Sequence, residues 1–274
     1  MNITLMNKYS LSQLNIYPIK SLGGISLQSA IVEERGLQYD RRWMLVDQQN
    51  NFITQRLHPK MALLKVEINN DLLTIKHKQN KLSPLTIRPL PYDDEEIKVQ
   101  IWDDNVTALK YNSDTNNWFT EAIGVKCSLV YMPDSTKRKV DPNYTTNKFV
   151  GFADGYPFLI IGEESLNDLN KRLEEPVPMN RFRTNFVFNG GKSFDEDNWI
   201  TIKIGDVVFH SLKPCPRCVI TTIDQNTGMK DKEPLKTLAS FRQKDNMVMF
   251  GMNLVAEGTG KVNVGDEIKI NETK

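Results

Sequence analysis

Two of the three cysteines in this chain stand with two residues between them, in "SLKPCPRCVITTIDQNTG" (211–228). Cys215 and Cys218 flank Pro216 and Arg217, with Lys213 just upstream. A structural zinc needs four ligands, and the pair supplies at most two. Cys127, His58, His77 and His210 are scattered and offer no second pair. A thioredoxin-type dithiol expects the pair to open a helix, whose N-terminus lowers the thiol pKa. Here "VITTI" follows, a β-branched run that favours strand, so redox exchange stays open but badly placed. Two small core cysteines would be ordinary, yet the neighbouring cations favour a thiolate. The reading that uses every residue is one thiolate on a soft metal, with the arginine holding an anionic part of a cofactor.

The elements that must position these residues are mostly strands. "WMLVDQQNNFITQ", "ALLKVEINNDLLTIKHK" and "IKVQIWDDNVTALKY" each set an Asn- or Asp-bearing turn between two β-rich runs, the pattern of a hairpin. "IKIGDVVF" (202–209) and "VNVGDEIKI" (262–270) repeat a Gly-Asp corner of the kind found in small β-barrels. Helices are expected in only three places. "DTNNWFTEAIG" offers Asp114 or Thr115 as cap and Gly124 as terminator. "ESLNDLNKRL" spaces Leu166, Leu169 and Leu173 on one face. "KEPLKTLASFRQ" puts Pro234 in the first turn. The polar stretch "MPDSTKRKVDPNYTTNK" (132–148) is expected as a long loop near a domain boundary.

A length of 274 residues allows one large domain or two small ones. Lys plus Arg (35) nearly balances Asp plus Glu (34), so no global field points to nucleic acid or an anionic membrane, and an anion site must be local. The odd cysteine count argues against a disulfide framework. The opening "MNITLMNKYS" has no apolar leader, and no later run approaches a membrane span. A reducing cytoplasm is the expected location.

"KPCPRCVITTIDQNTG" resembles the signature of the MOSC family, the molybdenum cofactor sulfurase C-terminal domains, through its Arg-Cys, its Thr-Thr-x-Asp and its Asp224-x-x-Thr227-Gly228 turn. "IYPIKSLGG" and "YDRRWMLVD" resemble the family's N-terminal β-barrel domain; "FADGYPFLIIGEESLNDLN", "NRFRTNFVF" and "KEPLKTLASFRQ" resemble later parts of the same two-domain group. Within it, the chain is similar to the amidoxime-reducing proteins and the bacterial reductases of N-hydroxylated bases. The resemblance implies a mostly β fold, an N-terminal barrel-like domain (1–125) packed on a MOSC β-barrel (126–274), with a molybdenum pterin cofactor in the cleft.

Carried over residue by residue, the resemblance makes Cys218 the molybdenum ligand and leaves Cys215 nearby without that role. Lys20, Ser21, Arg41, Arg183, Asn185, Pro216 and Arg217 become donors to the cofactor, with Asn253 a weaker candidate. Asp154 becomes an acid near the metal's open face, able to position water or relay protons, or else a simple turn residue. The implied activity is reduction of a small N-hydroxylated substrate such as an amidoxime or hydroxylamine. All three cysteines lie upstream of the last strand before Lys274, so no fused iron–sulfur cluster is expected. Electrons are then expected from a separate ferredoxin, cytochrome b5-like protein or flavoprotein reductase. Two other roles fit the same resemblance: sulfur handling in cofactor sulfuration, and cofactor carriage. Sulfurases usually carry a pyridoxal-phosphate domain upstream, for which this chain has no room.

Overall fold

Leu11, Leu14 and Ile16 in the first strand cannot all face inward on a strict two-residue alternation, yet all are buried. A β-bulge between Leu11 and Gln13 inserts one residue against the partner strand and restores the inward set. That strand, Tyr9–Ile16, opens a computed structural model that describes residues 9–91 and 95–274. Most of the opening "MNITLMNKYS" therefore lies outside the described residues.

The expected mostly β architecture is present. Seven strands close into a barrel in the order Phe158–Gly162, Phe186–Asn189, Tyr9–Ile16, Glu267–Thr273, Trp199–Ile204, Val207–Arg217, Met247–Ala256, and back to Phe158–Gly162. Every contact is antiparallel except that between Phe158–Gly162 and Phe186–Asn189. Phe158, Phe186, Phe188 and Phe209 share its core with Trp199, Ile202 and Leu254. A second body of structure holds a four-stranded sheet (Trp43–Val46, Ser128–Tyr131, Asp104–Lys110, Glu95–Ile101) and a three-stranded one (Leu64–Asn69, Leu72–His77, Leu85–Ile87). Its core joins Trp43, Leu45, Leu73, Phe119 and Leu129.

Pairing crosses the expected boundary at residue 125 in both directions. Tyr9–Ile16 belongs to the barrel, Ser128–Tyr131 completes the four-stranded sheet, and Gly260–Asn263 pairs with Ser29–Glu33. The Gly-Asp corner at Gly265 (φ +93°) is where the chain leaves that last pairing for the barrel.

The expected hairpins form, with Asn70 and Asp71 at positive φ in one turn. Helix α1 (Ser113–Ile123) ends at Gly124 as expected, but its cap is Asn112, whose side chain accepts from Thr115 N. Helices α2 (Glu163–Asn170) and α3 (Leu235–Arg242) bury Leu169 and Leu238. The "VITTI" run differs from its strand expectation. Val219–Thr222 forms a 3-10 turn, because the Thr221 and Thr222 hydroxyls donate back to the carbonyls of Cys218 and Val219.

Candidate functional site

The segments 17–21 and 40–43 zip together outside the sheets. Arg41 N donates to Tyr17 O, Lys20 N to Trp43 O, and Trp43 N to Pro18 O. Segment 151–154 then packs on the same seam, Phe152 N donating to Arg41 O at 2.7 Å. Gly151 permits that approach, since a Cβ there would stand 2.7 Å from Arg41 O. Ser21 (φ +66°), Arg41 (+47°) and Arg183 (+53°) are all held in the left-handed region that side chains other than glycine seldom adopt. Non-glycine residues persist there only when the surroundings fix them, and such strain gathers at functional sites.

These turns aim their side chains into a cavity of about 660 Å³. All ten sequence-predicted residues line it: Lys20, Ser21, Arg41, Asp154, Arg183, Asn185, Pro216, Arg217, Cys218 and Asn253. The long 132–148 stretch forms another wall through Lys139, Val140, Asp141 and Pro142.

Positive charge dominates the interior. Lys20, 5% exposed, donates to Phe152 O (2.8 Å) and to Asp154 Oδ1 (2.5 Å). Burial pulls its pKa down to about 8, against the pull of Asp154. Asp154 accepts from Arg56 as well, at 2.8 Å. Burial opposes its charge, but the two cations win and hold the carboxyl well below the usual range. An ionised carboxylate spanning two cations has no proton to deliver near neutral pH. In the structure Asp154 is their counter-ion, with half its side chain (53%) still exposed.

Tyr17 is flanked by two guanidiniums, Arg41 at 4.4 Å and Arg183 at 4.3 Å from its ring. Arg41 also bonds Asp40, Asn185 Oδ1 and Arg183 O. The Arg41–Asp40 ion pair is buried. Arg183 donates to Leu22 O (2.7 Å), with no carboxylate in ion-pair distance among the described residues. Burial and then Arg41 bring its pKa down to about 10.

Arg217 donates to Phe182 O (2.7 Å) and to the Cys215 sulfur (3.1 Å), while its Nε is buried without a partner. Cys218 follows the strand that ends at Arg217 and caps the 3-10 turn, with its side chain beside Arg56. Asn185 is also bonded within the protein. Its Nδ2 donates to Asn15 O and its Oδ1 accepts from Leu159 N, so the amide fastens the barrel and steadies Arg41. Asn253 donates to Lys213 O.

Sequence reasoning missed Arg56, Arg138, Tyr156 and Trp102, and gave Lys213 only as a cation beside the cysteine pair. Arg138 ties the wall together, bonding Asp104, Gly151 O, Ala153 O and Asp154 O. Lys213 sits over Tyr144 (4.5 Å) and Tyr156 (5.2 Å). Only the charge run "TKRK" hinted at Arg138; nothing local distinguishes Arg56. No group of three or more His, Cys, Asp or Glu capable of holding a metal occurs among the described residues. A soft metal bound through one protein thiolate leaves no such cluster.

Residues 8–126 match the MOSC N-terminal beta barrel domain, and residues 147–269 the MOSC domain. Mitochondrial amidoxime-reducing component 1 of Mus musculus is 32% identical, over 94% of this chain and 81% of that protein. The chain belongs to the MOSC family. The Homo sapiens amidoxime-reducing component 1 is also 32% identical, over 94% of this chain and 82% of its own length. Another MOSC relative, the molybdenum cofactor sulfurase of Oryza sativa subsp. japonica, is 32% identical over 96% of this chain, which spans only 35% of that protein. Lys20, Ser21 and Arg41 fall in the N-terminal match and the other seven candidates in the MOSC match, so the cavity is built from both. No helix among the described residues is long and apolar enough to cross a membrane.

Proposed function

We propose that this MOSC protein is a molybdenum cofactor-dependent reductase of small N-hydroxylated compounds, supplied with electrons by a separate carrier protein. One observation carries the reading: ten residues from separated segments, including a cysteine next to an arginine, line one cation-rich cavity in a chain whose overall charge is nearly balanced. The donor set fits a phosphate-bearing pterin. Among the described residues Arg183 has no carboxylate partner and Arg217 Nε is buried without an acceptor, and the Lys20 pKa is depressed by burial; each would be stabilised by an anion. In the reductase reading Lys20, Ser21, Arg41, Arg183, Arg217 and the Pro216 backbone hold the cofactor, and the Cys218 thiolate is the metal's protein ligand.

When bound, that cofactor supplies two-electron reduction of the N–O bond, so that N–OH, two electrons and two protons become N–H and water. The chain's residues do the rest. Tyr17 keeps Arg41 and Arg183 apart and aimed, Asn185 fixes Arg41, and Arg138 holds the 151–154 wall. Asp154 offsets one of the two charges of Lys20 and Arg56 at the open side, so net positive charge remains there as well as on the Arg183–Arg217 side. The sequence units 1–125 and 126–274 act as one body in this reading, because their strands interlock. Three free cysteines agree with a reducing cytoplasm.

The likeness to a sulfurase favours one rival, sulfur transfer through Cys215 or Cys218. Protein made in cofactor-competent cells is expected to reduce benzamidoxime with reduced methyl viologen, and to fail with NADH alone. Transfer of labelled sulfane sulfur to a cysteine, without benzamidoxime turnover, would favour the sulfurase role. Bound cofactor with neither activity would leave cofactor carriage.

A further inference from the structure

The hairpin between Glu95–Ile101 and Asp104–Lys110 turns on two residues, Trp102 and Asp103, both at the cavity rim. Trp102 takes φ +54°. Glycine is the usual occupant of a positive φ in so short a turn, and Asn or Asp the usual substitutes. A bulky indole there is unfavourable for the backbone, so the ring itself must bring something the turn does not need. It is not core filling. Trp102 is 41% exposed, whereas Trp43, Trp118 and Trp199 are buried or half-buried. Phe52 supports it at 5.0 Å, tilted by 56°. The Arg56 guanidinium lies 4.8 Å from its ring centre, and the same arginine bonds Asp154 and reaches Cys218. The indole is thus braced against the group that adjoins the thiol.

We propose that Trp102 is a specificity-determining residue: a platform, fixed by Phe52 and Arg56 at the cavity mouth, on which a planar conjugated N-hydroxylated substrate stacks. The proposal rests on the reductase reading for its substrate class. Stacking is indifferent to which planar base is offered, because every such ring has a π-face. It discriminates against small aliphatic N-hydroxylated compounds, which have no face to lay on the indole. Asp103 beside the ring adds a carboxylate at the rim, where amidine-like groups carry partial positive charge.

Trp102→Asn removes the ring while suiting the positive φ, so the hairpin keeps its turn. The KM for benzamidoxime is expected to rise about ten-fold with kcat little changed, the size of one lost aromatic stack. The KM for acetamidoxime should rise much less, and Trp102→Phe should recover most of the benzamidoxime affinity. Benzamidine, the reduced product, should quench tryptophan fluorescence of the unaltered protein, and that quench should vanish in Trp102→Phe. Equal KM changes for both amidoximes, no change for either, or a quench that survives in Trp102→Phe overturns the platform. Should the unaltered protein reduce neither amidoxime yet show the Trp102-dependent quench, the reductase reading falls and the platform stands.

Discussion

Arg181 and Arg183 stand two residues apart in "NRFRTN" and do opposite things with their charge. Arg181 pairs with Asp224 at 3.0 Å, and Asp224 also gathers Asn226 N, Thr227 N and the Thr227 hydroxyl, with Gly228 at φ +69° closing the turn. That region is electrically closed. Arg183, swung into the left-handed region, spends one N–H on Leu22 O, stacks on Tyr17 and meets no carboxylate within ion-pair distance among the described residues. It is electrically open. The Asp-x-x-Thr-Gly part of the signature therefore builds a support under the Cys218 turn, and the proposed anion-binding role falls to the residues whose charge the fold leaves unanswered. A buried charge without a partner is costly unless a ligand supplies one.

The contrast breaks if both arginines respond alike to removal. Arg183→Ala should lower cofactor affinity by about 2–5 kcal/mol, the scale of losing one partner of a buried charged contact, while the melting temperature of cofactor-free protein hardly moves. Arg181→Ala should do the reverse. Stability falls by about 1–2 kcal/mol as Asp224 loses a charged donor, and occupancy per folded molecule holds. Pterin content and thermal melts, measured on both variants, separate the outcomes.

A smaller effect sharpens the same contrast through pH. Burial sets the Lys20 pKa at about 8, below its unfolded value. Below that pH Lys20 is a cation that attracts the anion; above it the empty cavity holds a neutral amine. Binding of the pterin to cofactor-free protein is therefore expected to weaken several-fold as pH rises through about 8, and Lys20→Arg should flatten the profile because arginine stays charged. The sign for folding is opposite. A depressed folded pKa makes the Lys20 contribution to stability rise with pH from about 8 toward its unfolded value. A binding profile that is flat in the unaltered protein contradicts this placement of Lys20.

The hairpins and the Gly-Asp corners were legible because turn chemistry and two-residue alternation are local. All ten candidate residues were named from motifs and converge on one cavity, yet their individual contacts were not readable. Asn185 lines the cavity, and its bonds to Asn15 and Leu159 join segments that only the fold brings together. Asp154 pairs with Lys20 and Arg56, which approach it from segments more than ninety residues upstream. Arg56 and Arg138 were missed for the same reason: burial and partner, not residue type, make them part of the cavity. The first strand's place in the barrel was equally hidden, since a strand carries no local mark of which sheet it will join.

The central claim is that the cavity holds a molybdenum pterin with Cys218 as the metal's thiolate. It is tested most directly by the metal and pterin content of unaltered, Cys215→Ala and Cys218→Ala protein, each purified from cofactor-competent cells. The account predicts stoichiometric molybdenum and pterin in the unaltered and Cys215→Ala proteins, and a changed metal spectrum with no benzamidoxime turnover in Cys218→Ala. Zinc or no metal in the unaltered protein, or equal losses from the two cysteine substitutions, would contradict it.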